Sequence, residues 1–312
     1  MAWPSMSDYQ DAIQNPRTCF SDQELRQGAP VLNGLGLPHP ITGGFASVYQ
    51  IVNGKRWAVR CFLHEYQDQQ KRYEAIDRHL RSVDLPYKVG FEFQPQGIRI
   101  QGRMYPILKM EWIDGVQLNA YIESILGRRE ALLKLADDWR AFLKRLETAG
   151  IAHGDLQHGN IMVSAGQVRM IDYDGMYVPS LAGMGTHEAG QPNYQHPKRS
   201  VSDAYGPGMD RFSGLAIHLA ILALSRQPSL WHEFDNGDNI LFCKADFENP
   251  PRSRLFAALR NMSDPEVSGR AMALQAACVG PVKFVPEIDD AMAIPKLPVW
   301  VMDNLYAPPE VL

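Results

Sequence analysis

The chain has 312 residues, 45% of them hydrophobic and 21% charged, which is the balance of a globular protein and not of a disordered one. A net charge of −4 supplies no basic field for nucleic acid or an anionic membrane surface. The four cysteines (Cys19, Cys61, Cys243 and Cys278) form no CxxC pair, which argues against a zinc ribbon or a disulfide framework and fits a reducing, cytoplasmic compartment.

The N-terminus, MAWPSMSDYQ, lacks the charged-then-apolar layout of a signal peptide. Residues 1–40 are mixed polar with Pro and Gly. They read as an extension wrapped on the domain with little regular structure. From Phe45 the pattern changes. FASVYQIV and RWAVRCF are rich in β-branched and aromatic residues and flank Asn53-Gly54, a strong hairpin signal. In YQDQQKRYEAIDRHL, Tyr66, Tyr73, Ile76 and Leu80 fall at helical spacing. Three more strand-like runs follow: VGFEF, GIRI and YPILKMEWI.

After Asp114-Gly115 the chain turns helical. Leu132, Leu135, Trp139, Phe142, Leu143 and Leu146 mark one face of a long amphipathic helix, with Gly150 as its cap. NIMV and VRMI are short strands on either side of a turn at Ala165-Gly166. A Gly/Pro-rich loop runs to Pro197. FSGLAIHLAILALS, apolar all round but shorter than the ~20 residues of a membrane span, reads as a helix buried in a protein core. A strand-rich part with one helix followed by a helix-rich part predicts an α+β, bilobal fold with a hinge near Glu111 to Gly115. The expected divisions are an extension over 1–40, lobes over 41–113 and 114–290, and an apolar, Pro-rich tail over 291–312.

The stretch GIAHGDLQHGNIMV holds the densest polar chemistry. Asp155 and Asn160 lie five apart, after a helix and before a strand, and Asp172 ends the next strand. Two carboxylates and an amide on loops between short strands suit a hard cation that keeps substrate phosphates among its ligands. Phosphoryl transfer uses this set: one Asp for the acceptor hydroxyl, an Asn and a second Asp for the metal. Turn capping is the plainer reading of an Asp-Asn pair. A zinc site on His153 and His158 lacks the thiolates or third imidazole it needs.

The residues then resemble the protein kinase superfamily over about Ile41 to Val279. His153-Gly154-Asp155-Leu156 with Asn160 is similar to the family's HRDLxxxN loop, and Asp172-Tyr173-Asp174 to its DFG. PNYQHP resembles the end of an activation segment, and Asp210 the aspartate that ties down the catalytic loop. The resemblance implies ATP with Mg²⁺ (or Mn²⁺), Asp155 as base, and Asn160 and Asp172 as metal ligands. It implies nucleotide contacts from Gly43, Gly44, Val48, Ala58 and Arg60, with Met110 as gatekeeper and the backbone of Glu111 and Ile113 meeting adenine.

The chain departs from the pattern in several places. Ile41 and Ala46 replace outer glycines of the Gly-rich loop, which should stiffen it. Arg60 stands where the family has a strand lysine, a planar fork in place of a point charge. Asp77, with Glu74 second, is the helix acid expected to pair with it. Gly154 replaces an arginine, Gln157 a lysine for which a protonated His158 is the substitute, and Lys198 a glutamate. Thr186, Ser180 and Tyr177 are candidate regulatory hydroxyls, each also readable as a plain exposed loop residue.

The extension and the YQHP form look most like a bacterial, eukaryotic-like branch of Ser/Thr kinases. Relatives in that branch accompany PP2C-type phosphatases or von Willebrand A proteins in stress systems. Three readings follow: an atypical protein Ser/Thr kinase, a pseudokinase acting as a nucleotide-binding or scaffold protein, or a small-molecule phosphotransferase of the aminoglycoside-kinase type, whose HGDxxxxN loop is also similar.

Overall fold

The computed structural model describes residues 3–43, 45–65, 67–200 and 205–290. The fold is α+β, with an antiparallel sheet in its N-terminal part and helices in its C-terminal part, the pattern expected of a protein-kinase-like chain. It divides into two compact units. The first runs to Asp84 and resumes over Lys88–Asp114; the second takes Leu85–Tyr87 and the described residues from Gly115 onward.

The first unit begins with three short helices, α1 (Met6–Ile13), α2 (Pro16–Cys19) and α3 (Gln23–Arg26). Its strands are β1 (Ala29–Pro30), β2 (Pro40–Thr42), β3 (Ala46–Asn53), β4 (Lys55–Phe62), β5 (Phe91–Ile100) and β6 (Arg103–Glu111), with α4 (Gln69–Ser82) between β4 and β5. Among the described residues these strands form one sheet in the order β1-β3-β4-β6-β5, with β2 also on β3. The β3–β4 turn is tight, Asn53 facing Lys55 across Gly54 at φ 63°, a left-handed conformation that glycine adopts freely.

Strand alternation gives the sheet two apolar faces. On one, Tyr73 of α4 stacks on Phe93 at 5.2 Å and meets Phe91 and Phe62 at 5.8 and 6.0 Å. On the other, Tyr49, Ile51, Val59, Cys61, Ile98, Ile100 and Ile107 pack against Tyr9, Ile13, Cys19, Phe20 and Leu25. The expected irregular extension is therefore three short helices, two of them capped by side chains, that close the sheet's second face. Ser5 caps α1 in a reciprocal box with Asp8, and Asp22 caps α3. Each large side chain so buried contributes on the order of 1.5–3 kcal/mol, so the extension is part of the core.

VGFEF and GIRI, expected as separate strands, are one strand, β5. Its register shifts between Gln94 and Ile98, and this bulge absorbs Pro95 and Gly97. The Ser21 N–H donates to the Gly97 carbonyl at 3.0 Å, which ties the extension to the bulge.

The second unit holds β7 (Val116–Gln117), α5 (Leu118–Ser124), α6 (Arg129–Thr148), β8 (Ile161–Ser164), β9 (Gln167–Met170), α7 (Arg211–Arg226), α8 (Leu230–Phe234), α9 (Lys244–Glu248), α10 (Arg254–Arg260) and α11 (Pro265–Val279). The stripe expected on α6 faces the core, Leu143 only half-buried. α6 ends in a Schellman motif: Ile151 N–H reaches Leu146 O at 2.9 Å and Gly150, at φ 66°, reaches Glu147 O at 2.9 Å. α7 is buried over residues 212–225, as its all-round apolar sequence predicts. A Cβ on Gly214 would stand 2.8 Å from Leu143, so glycine lets α6 and α7 approach, and Trp139 Nε1 donates to the Gly214 carbonyl at 3.0 Å.

The β8–β9 hairpin turns through Ala165 and Gly166 at φ 48° and 75°, and β8 takes β7 on its other edge. Among the described residues no helix is long and apolar enough to cross a membrane. The tail over 291–312 lies outside the described residues.

Candidate functional site

In the second unit the polar loop is built outward from buried Asp210. This residue opens α7 but turns its carboxylate away from the helix. Oδ1 accepts the Gly154 N–H at 2.9 Å and Oδ2 accepts the His153 N–H. Burial pushes its carboxyl pKa up, while the neighbouring His153 and Arg199 and these two N–H groups oppose the rise. His153, fully buried, donates from Nε2 to the Ile171 carbonyl at 2.8 Å and packs edge-on to buried Tyr173. It braces the loop, and among the described residues no three His, Cys, Asp or Glu side chains cluster as a metal site.

Asp155 follows on this scaffold. Asn160 Nδ2 donates to both the Asp155 carbonyl and Oδ2, each at 2.9 Å. The amide nitrogen is thereby spent on Asp155, and Oδ1 is the oxygen left for a cation. The Gln191 N–H donates to Asp155 Oδ1 at 2.7 Å. Ile171 N–H bonds the Asn160 carbonyl at 2.9 Å, which sets Asp172 beside the loop. Asp172 has φ 64°, a left-handed backbone that is uncommon outside glycine and that Asp tolerates better than most residues. Asp155, Asn160 and Asp172 thus lie in one unit, on neighbouring backbone segments. Their donors are oxygen only, which suits Mg²⁺ or Mn²⁺ completed by phosphates and water.

The departures have structural reasons. Gly154 has φ 87°, and a Cβ there would lie 2.1 Å from the Gly175 carbonyl oxygen, so no side chain fits. Gln157 folds its Oε1 onto the Gly159 N–H at 2.7 Å. The expectation that a protonated His158 substitutes for the missing lysine is corrected. His158 is buried against the Tyr194 hydroxyl at 2.6 Å, and burial lowers its pKa below the ordinary imidazole value. Tyr177 is not an exposed hydroxyl either, being buried and bridged by its backbone to Ala152.

Lys198, in the place of a glutamate, donates Nζ to the Val279 carbonyl, and His196 Nε2 bonds the Ala277 carbonyl at 2.8 Å. A cation and an imidazole thus anchor the segment on the negative end of α11.

Three contacts have no signal in the sequence. Gln191 links Asp155 to the loop before α9 through Nε2 and Asp238 Oδ2 at 2.9 Å. Asn193 Nδ2 joins the same Asp238 at its carbonyl, 3.0 Å away. Arg199 donates to the Gly154 carbonyl at 2.7 Å and to Gln195 Oε1.

In the first unit the strand register puts Val48 opposite Arg60 and Ala58 opposite Met110. Val48, Ala58, Arg60 and Met110 therefore share one sheet face, the face that also carries Phe93. The Gly43 N–H closes the β2–β3 turn on the Ala46 carbonyl at 3.0 Å; Gly44 lies outside the described residues. Glu111 N–H is bonded to Gly90 O at 3.1 Å, whereas among the described residues the Ile113 N–H has no acceptor. Among the described residues the expected Arg60–Asp77 pair is not made. Asp77 bonds Arg81 one turn on at 2.9 Å, and exposed Glu74 bonds Gln70 at 2.8 Å, because i,i+4 partners on the same helix lie closest.

No protein-family model matches the chain. It is 29% identical over 210 residues to the inhibitor of nuclear factor kappa-B kinase subunit beta of Rattus norvegicus, a match covering 61% of this chain and 28% of that protein. The Bos taurus counterpart gives the same figures. A probable serine/threonine-protein kinase of Dictyostelium discoideum is 25% identical over 199 residues, covering 60% of this chain and 27% of the relative. The matched region is thus little more than a quarter of each relative's length. The chain is thus distantly similar to Ser/Thr protein kinases over about three fifths of its length.

Proposed function

We propose that the chain is an atypical, bacterial-type Ser/Thr protein kinase that transfers the γ-phosphoryl of ATP to a protein hydroxyl in the cytoplasm. The observation that carries this reading is the fixation of Asp155. Its Oδ2 is held by Asn160 Nδ2 and its Oδ1 by the Gln191 N–H, on a loop whose two preceding N–H groups end on Asp210. Asp155 orients the acceptor hydroxyl and takes its proton. Asn160 Oδ1 and the Asp172 carboxylate hold the metal, and His153 and Asp210 keep the loop's backbone in place. When bound, Mg²⁺ neutralises charge on the phosphates and orients them. Val48, Ala58 and Met110 offer the purine an apolar surface, and Arg60 a cation for phosphate. A PP2C-type phosphatase or a von Willebrand A protein is the partner to test first by co-purification.

A second reading, a nucleotide-binding scaffold without turnover, is favoured by Arg60 in the lysine's place and by Asp77 being engaged with Arg81. Thermal shift with Mg-ATP and transfer of labelled phosphate separate the two. A binder at a hundred times its dissociation constant gains about 2.7 kcal/mol. That corresponds to a shift of ~2–4 °C per kcal/mol for a chain of this size. The kinase reading expects the shift together with transfer. Asp155→Asn should lower transfer by roughly 10²–10⁴-fold while keeping the shift, and Asp172→Ala should remove the metal-dependent part of the shift. A shift with no transfer favours the pseudokinase, transfer confined to small molecules favours a small-molecule phosphotransferase, and no shift with any nucleotide and metal overturns both phosphotransferase readings.

A further inference from the structure

Gly154 and Gln157 leave the catalytic loop without two cations that the resemblance leads one to expect, yet the loop is not without positive charge. Arg199 comes from the segment after PNYQHP, 45 residues further along the chain. Its Nη2 donates to the Gly154 carbonyl at 2.7 Å, and its Nη1 donates to Gln195 Oε1. Gln195 is itself buried. Gly154 lies immediately before Asp155, and the peptide groups on both sides of its Cα are held. Its N–H goes to Asp210 and its carbonyl to Arg199. The negative charges of Asp210, Asp155 and Glu188 act on the guanidinium, while burial is the larger influence and lowers its pKa. A planar fork with two separate donors fits two acceptors in fixed directions, which an ammonium does not.

We infer that Arg199 is a positioning residue for Asp155, a cation from elsewhere in the same unit that does what an arginine at position 154 cannot. The inference rests on the phosphotransfer reading for its effect on rate. Position 154 is closed to any side chain by the Gly175 carbonyl, so the positive group has to come from elsewhere in the unit. Arg199 supplies it through the carbonyl of the same residue. Fixing that carbonyl fixes the rotation of the peptide and hence the direction in which Asp155 leaves the backbone. Misplacement of a reacting group by about 1 Å can lower a rate ~10²-fold.

The test uses the full chain with Arg199→Met and Arg199→Lys. Turnover is measured with Mg-ATP and either the chain itself or a generic acceptor protein. Backbone hydrogen exchange is read over 152–158 and, as control, over 212–225 of α7. For Arg199→Met we expect kcat to fall about 10–100-fold with the KM for ATP within twofold. Exchange over 152–158 should rise and that over α7 should not. Arg199→Lys, with the charge and one donor, should recover part of both losses, and it stands alone if the Met variant does not fold. A folded Met variant with unchanged kcat and exchange overturns the inference. So does a kcat loss with equal loosening of α7, which is the mark of a merely structural role. If the wild-type chain transfers no phosphate, the kinase reading fails, and the exchange comparison alone decides whether Arg199 positions the loop.

Discussion

The loop around Asp155 and the sheet face around Arg60 hold their polar side chains in different ways. In the loop, partners come from far along the chain. Asp210 reaches His153 and Gly154, Gln191 reaches Asp155, Arg199 reaches Gly154, and Tyr194 reaches His158. On α4, which packs on the Arg60 face, Asp77 meets Arg81 and Glu74 meets Gln70, each within one turn of helix. The first unit does contain a long-range buried polar cluster, but on the opposite face. Lys109 Nζ bonds Asp22 at 2.9 Å and Glu24 at 2.6 Å and lies 4.3 Å from the centre of the Trp57 ring. Long-range polar contacts fix geometry because moving one partner disturbs several elements, whereas i,i+4 pairs contribute little and reform easily. The rigid chemistry thus lies in the loop and the adaptable chemistry on α4.

The largest effect should come from breaking the loop. Gly154→Ala forces a Cβ to 2.1 Å from the Gly175 oxygen at φ 87°. It should destabilise the protein by about 3 kcal/mol or more, through overpacking and backbone strain together, and remove transfer activity. Denaturant unfolding and the phosphate-transfer assay check this. A neutral result would mean that the loop is as yielding as α4, and the contrast would collapse.

A smaller effect is expected from the buried cluster of the first unit. Lys109→Met leaves Asp22 with the Leu25 N–H and Gln94 and should cost about 2 kcal/mol at neutral pH. Its pH dependence has two limbs. Burial would raise the Asp22 pKa, but its hydrogen bonds from Leu25, Lys109 and Gln94 bring it below the ordinary carboxylate value. That stabilisation is present above the unfolded pKa and lost as pH falls through the lowered folded value. For Lys109, burial would lower the pKa, yet Glu24 and Asp22 carry it above the ordinary lysine value. That stabilisation is present below the unfolded pKa and lost as pH rises through the raised folded value. Lys109→Met should flatten the alkaline limb and weaken the acid limb of a stability–pH curve. An unchanged curve would remove the cluster from the account.

The parts of the fold legible in the sequence are those written in local periodicity or in a single turn: the Asn53-Gly54 hairpin, the α6 stripe, the buried α7 and the β8–β9 turn. The polar knot was legible because Asp155, Asn160 and Asp172 sit at fixed spacing around two short strands. The extension was not. α2 and α3 have four residues each, too few for a periodic pattern, and what orders them is the sheet face they cover. β5 was divided because Pro95 and Gly97 read as breaks, and nothing local says that Ser21 meets the bulge they create. Arg199 and Gln191 act across 45 and 36 residues, where no sequence window looks. The Asp77–Arg81 pair was within reach of an i,i+4 reading, but the likeness to a strand-lysine pair pointed the other way.

That pair gives the smallest expected effect and the finest test of the contrast. Arg81 is largely exposed, and its partner Asp77 is half-buried. An i,i+4 pair between such groups is screened by solvent and contributes little to stability. If Asp77 is occupied only with Arg81, Asp77→Ala should leave both the melting temperature and the Mg-ATP shift within error. Arg81→Ala should be equally silent. If instead Asp77→Ala weakens Mg-ATP binding and Arg81→Ala strengthens it, the Arg81 pair competes with a nucleotide-bound arrangement in which Asp77 serves Arg60. The adaptable region would then be a switch between two partners, and the scaffold reading would lose the observation that most favours it.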